Sequence, residues 1–202
     1  MIIFVLRGIL DSVEIQVRLR DKGGIRMKRI THISVVVACL LLVGSFMAYA
    51  GHGGGAPYSG SKEYERMKQL VGVWEGTSNM GKEGQTVRVE YRLTAGGSAI
   101  VETLFPGTPE EMTSVYYDKK GKLSMTHYCM LQNRPSMKLL KAGTDKLDFI
   151  FAGGSGINPK KDPHMHALTI SFVDKDHIVQ NWTLFEDGKE KEVTRLNLSR
   201  VR

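Results

Sequence analysis

The sequence predicts an all-β fold: an antiparallel up-and-down β-barrel of about ten strands, preceded by one short helix. Three observations lead there. Short segments with strand-like alternation recur from Val73 to the C-terminus. Turn signals divide them, among them Ala95-Gly96-Gly97, Asp118-Lys119-Lys120-Gly121, Asp174-Lys175-Asp176 and Glu186-Asp187-Gly188. Finally, so many short strands in a small domain favour closure, which removes exposed edges.

The N-terminal part is read as a leader rather than as fold. An apolar run at 33–47 follows Met27-Lys28-Arg29 and precedes Ala48-Tyr49-Ala50. A basic start, an apolar core and an A-x-A site together make a secretory signal peptide over 27–50. The run is shorter than the ~20 residues that span a bilayer, so no stable transmembrane segment is expected after cleavage. A periplasmic or secreted bacterial location follows. Residues 1–26 then form an upstream extension, with Met27 as the expected true start. Lys22-Gly23-Gly24 can be encoded by a purine-rich stretch resembling a ribosome-binding site. Lipidation at Cys39 is the rival cleavage, disfavoured because a long apolar run follows that cysteine rather than a polar tether.

Cleavage after Ala50 leaves 152 residues, the size of one domain. These carry 21 basic and 18 acidic residues, a net charge of +3 against +7 for the whole chain. The charges are scattered without a basic run, which excludes nucleic acid as the partner. Cys129 is the one cysteine left, so no internal disulfide forms.

Residues 51–60 (GHGGGAPYSG) form a flexible linker by composition, and 61–202 form the barrel domain. Ser61 caps a helix whose Tyr64, Met67, Leu70 and Val71 share one face. Gly72 stops it. Strands follow near 73–80, 85–94, 98–105, 111–118, 122–131, 136–141, 146–152, 164–174, 177–185 and 190–200, and the helix is expected to lie across one mouth.

The helix leading into Gly72-Val73-Trp74 resembles the opening of lipocalin-like (calycin) barrels, with a G-x-W on the first strand. Longer stretches are similar to a group of secreted bacterial lipocalin-like proteins to which no activity is assigned. They are Leu93-Thr94-Ala95-Gly96-Gly97-Ser98-Ala99, Val101-Glu102-Thr103-Leu104-Phe105-Pro106-Gly107, Thr126-His127-Tyr128-Cys129 with Asn133, Pro135 and Met137, and His164-Met165-His166. The resemblance covers most of 65–200. It implies the fold and no reaction.

Loop lengths mark one end as the working end. Connections after the even strands are tight, whereas those after odd strands include 79–84, 106–110, 132–135 and the long 153–163. Alternation puts His127 and Cys129 with Leu123 and Met125 on the inward face of the fifth strand. It likewise puts His164 and His166 inward with Leu168, Ile170 and Phe172 on the eighth. Both pairs are expected at the long-loop mouth, meeting across the lumen.

Three imidazoles and a thiol in one cavity suit zinc or copper; a polar lining around an organic ligand is the plainer alternative. Haem is a further variant, though no haem-attachment motif occurs. His127 and Cys129 lie ~6.6 Å apart along a strand, beyond hydrogen-bond reach, so an activated thiol would need His164 or His166. Arg134 is placed to meet an anionic ligand, Asn133 is a turn former that also reaches the mouth, and Glu102 is either a cavity carboxylate or a solvated strand charge. Trp74 and Trp182 read as core, and Met125 and Met137 as gap fillers. The expected function is binding of a small-molecule ligand. The alternatives are a metal- or thiol-dependent enzyme built on His127, Cys129, His164 and His166, and a structural or stress-related envelope protein.

Overall fold

A computed structural model describes residues 16–21, 24–29, 58–81 and 84–201. The chain divides into two units, Met1–Ala56 and Pro57–Arg202. In the first, β1 (Gln16–Asp21) pairs antiparallel with β2 (Gly24–Arg29). The expected signal-peptide core, Cys39 and the cleavage site at Ala50 lie outside the described residues, as does most of the expected linker. No helix among the described residues is long and apolar enough to cross a membrane.

The second unit is a closed barrel of ten antiparallel strands. They are β3 (Gly72–Ser78), β4 (Gln85–Thr94), β5 (Ala99–Leu104), β6 (Met112–Lys119) and β7 (Lys122–Tyr128). They continue as β8 (Ser136–Ala142), β9 (Lys146–Gly153), β10 (His164–Phe172), β11 (His177–Glu186) and β12 (Lys189–Arg200). Each strand pairs with the next, and β12 returns to β3. Gly76 lies in that closing seam opposite Leu198 because nothing larger fits: a Cβ there would lie 1.8 Å from the Asn197 carbonyl oxygen. Alternation supplies the core. Val87, Val89 and Tyr91 of β4, Ile100 and Leu104 of β5, Leu123 and Met125 of β7, and Leu168 and Ile170 of β10 all turn inward.

The helix α1 (Lys62–Lys68) stoppers the tight-turn end. Ser61 Oγ accepts from the Tyr64 amide, and the Ser61 hydroxyl and amide both donate to Asp118, at 2.8 and 2.6 Å. Tyr64 donates to the Gly97 carbonyl, and Arg66 donates to the carbonyls of Gly143 and Thr144 while its guanidinium lies 4.0 Å over the Phe172 ring. Seven residues would not hold a helix in water; tertiary contacts do. With that end sealed, the longer connections lie at the opposite mouth.

Candidate functional site

Register puts four polar side chains in one row across neighbouring strands. Tyr91 of β4 lies opposite Glu102 of β5, Glu102 opposite Ser114 of β6, and Ser114 opposite His127 of β7. Glu102 faces inward with Ile100 and Leu104 and is fully buried. Its carboxyl accepts from Tyr91 (2.6 Å), Tyr116 (2.9 Å) and Gln180 (2.6 Å), the last reaching across the lumen from β11. Gln180 also donates to the Tyr91 hydroxyl and accepts from the Trp182 indole at 2.8 Å. Burial raises the carboxyl above the usual range, and the donors around it pull the other way. Burial beside that carboxyl pushes the Tyr91 and Tyr116 phenols far above theirs. Of the two directions open to Glu102, the structure takes the inward one, into the hydrogen-bonded interior rather than onto a cavity wall.

Ser114 joins this network to His127. Its Oγ lies 3.0 Å from His127 Nδ1. The bond runs either way: with Nδ1 donating, Nε2 carries a bare lone pair, and with the serine hydroxyl donating, Nε2 carries the proton. Burial depresses the imidazole to about 4, so it is neutral near pH 7. Its ring centroid lies 4.6 Å from that of Trp182. Nε2 is buried with no hydrogen-bond partner among the described residues.

His127 lines a small, largely apolar cavity of roughly 20 Å³, about the space one water needs. Met80, Met112, Met165, Leu104 and Trp182 are among its other walls. A space this size does not admit a porphyrin.

The other candidate residues go elsewhere. The fifth predicted strand, expected to run to residue 131, is β7 and ends at Tyr128, so Cys129 opens a turn. The Cys129 amide donates to the Asn133 carbonyl and its carbonyl accepts from Gln132, which adopts φ 60°. Burial pushes the Cys129 thiol up, against the pull of the Leu131 and Met130 amides, which leaves it a weaker nucleophile than a free cysteine. Asn133 Nδ2 donates to the Pro163 carbonyl at 2.8 Å, tying this turn to the long 154–163 loop, and Arg134 is exposed.

His164 and His166 form a second cluster. His164 Nδ1 donates to the Asp162 carbonyl (2.8 Å), so its Nε2 accepts from His166 Nδ1 (3.0 Å). His166 stacks on Phe185 with centroids 3.8 Å apart, and Phe151 lies 4.5 Å from His164. Burial lowers the His166 imidazole, with the neighbouring His164 adding to the effect. Simple alternation fails at this point because β10 carries a bulge: Met165 pairs with Leu184, but Ala167 pairs with Thr183. The slip brings Met165 to the cavity wall, and neither histidine lines it. Among the described residues, no three or more His, Cys, Asp or Glu side chains are grouped to hold a metal ion.

Sequence reasoning missed Ser114, Tyr91, Tyr116, Gln180 and the three cavity methionines. The signal for Ser114 and Gln180 was present: each is a polar residue at an inward position, between Met112 and Tyr116 or between Ile178 and Trp182.

No family model matches the chain, and no curated protein matches it. Among solved structures it is similar to a protein of unknown function of the DUF3598 family from Nostoc punctiforme PCC 73102, at 10% identity and a TM-score of 0.26. The match covers 70% of this chain and 100% of the other. A TM-score that low does not equate the two folds.

Proposed function

We propose that the protein is an exported lipocalin-like barrel that binds a small ligand in the cavity at the long-loop mouth, with His127 Nε2 as the polar contact. The observation that carries this reading is that nitrogen, buried and unpartnered among the described residues, on a side chain that lines a largely apolar space. A buried polar atom without a partner costs about 1–3 kcal/mol, and a ligand that satisfies it recovers that cost. Asn133, through Pro163, ties two of the mouth's loops together, and Arg134 stands exposed beside it, available to steer an anionic ligand.

The test is native mass spectrometry of protein recovered from cell envelopes, paired with NMR of the Leu104, Leu196 and methionine methyl groups during titration with neutral fragments. A retained small mass, or saturable shifts at those methyls that His127→Leu abolishes, supports binding. No retained mass and no shifts would leave the packed interior as evidence for a second reading, a structural envelope barrel. Export is tested separately: N-terminal sequencing of envelope protein is expected to begin at Gly51.

A further inference from the structure

We infer that the cavity is a site for a soft monovalent cation, Cu(I), held by the thioethers of Met80, Met112 and Met165 and by Nε2 of His127. The inference rests on the binding reading above and names its ligand class. Four separate parts of the chain bring these donors to one space. Met80 comes from the connection after β3, Met112 from the first residue of β6, His127 from the end of β7 and Met165 from the β10 bulge.

The chemistry of the donors selects the ion. Thioethers are soft, neutral ligands that suit Cu(I), whereas hard cations want carboxylate or carbonyl oxygen. Among the described residues, no carboxylate lines the cavity. The imidazole contributes Nε2, buried and without a hydrogen-bond partner among the described residues, and with Nδ1 protonated this nitrogen offers its lone pair. Behind it, Nδ1 is hydrogen-bonded to Ser114 at 3.0 Å, and Ser114 lies opposite Glu102. Metal-binding histidines characteristically donate their other N–H to such a group, which orients the ring and raises its basicity. Trp182 offers a π face on the same wall. Volume agrees: roughly 20 Å³ accommodates an ion but not an organic ligand without rearrangement.

The test uses the protein purified without a histidine tag, titrated anaerobically with Cu(I) against a colorimetric Cu(I) chelator, and with Ag(I) as a redox-inert stand-in. One equivalent is expected to bind and to change Trp182 fluorescence. The combined Met80→Leu, Met112→Leu, Met165→Leu variant conserves volume and should keep the wild-type circular dichroism spectrum. It should weaken Cu(I) binding by at least about 100-fold, since even outer partners of a metal are worth ~10–100-fold. Ser114→Ala should weaken it by roughly 10-fold. Refusal of Cu(I) by the wild type overturns the inference, as does unchanged affinity in the methionine variant or loss of binding in Cys129→Ser. If Cu(I) is refused while neutral fragments such as imidazole still shift the cavity methyls, the cation is wrong and the binding reading stands. If neither moves them, both fall.

Discussion

Glu102 holds three donors from three different strands, so its loss is felt at all of them. Glu102→Ala orphans Tyr91, Tyr116 and the Gln180 amide together and is expected to cost on the order of 3–5 kcal/mol. Urea unfolding measures it; a loss below ~1 kcal/mol would mean that the tyrosines find other partners. His127 gives a pH signature. Its folded value is about 4 against an ordinary 6.5, so as pH falls the unfolded chain takes up this proton first. Stability therefore declines between those values, by roughly 3 kcal/mol from this group. Glu102 has the opposite sign: its carboxyl is raised, so its contribution is greatest at low pH and is lost as pH rises through the folded value. His127→Leu isolates the first effect. The variant's thermal midpoint should fall less than the wild type's between about pH 7 and about pH 4.5. Equal falls would show that the buried imidazole is not the group responsible.

At the scale of elements, α1 depends on a strand it does not belong to. Asp118, near the end of β6, receives the Ser61 hydroxyl and amide and the Tyr58 hydroxyl. Asp118→Ala should cost about 1–2 kcal/mol and speed amide exchange in α1 while leaving the barrel core protected. Unchanged α1 exchange would mean that the apolar face of Tyr64, Met67 and Leu70 holds the helix alone. Elements also show where reading the sequence works and where it stops. The strand expected at 85–94 is β4 over those residues, because Gly84 and Ala95 both take positive φ and turn the chain. The expected fifth strand overran because its terminator is a hydrogen-bonded turn at Cys129–Gln132, with no glycine or proline until Pro135. The eighth, expected over 164–174, is β10 and ends at Phe172, and the bulge at His166 changed which residue reaches the cavity. A bulge is set by pairing with β11 rather than by local composition.

At the scale of the whole molecule, closure is a single seam between the first and last barrel strands. Gly76→Ala would drive a methyl into the Asn197 backbone carbonyl in that seam, and a backbone atom there moves only by parting β3 from β12. A loss of at least about 3 kcal/mol is expected, read from the thermal midpoint. A change of under ~1 kcal/mol would show that the seam tolerates separation. The sequence by itself determined the strand count, the antiparallel order, the helix and the long-loop end, since periodicity, turn chemistry and loop length are local. It also indicated that His127 faces inward. Only the tertiary structure decided what His127 meets. Glu102, Ser114 and His127 become neighbours through register, Gln180 and Trp182 reach them by closure, and Met165 arrives through a bulge. Those are relations between strands far apart in the chain, and alternation within one strand carries no record of them.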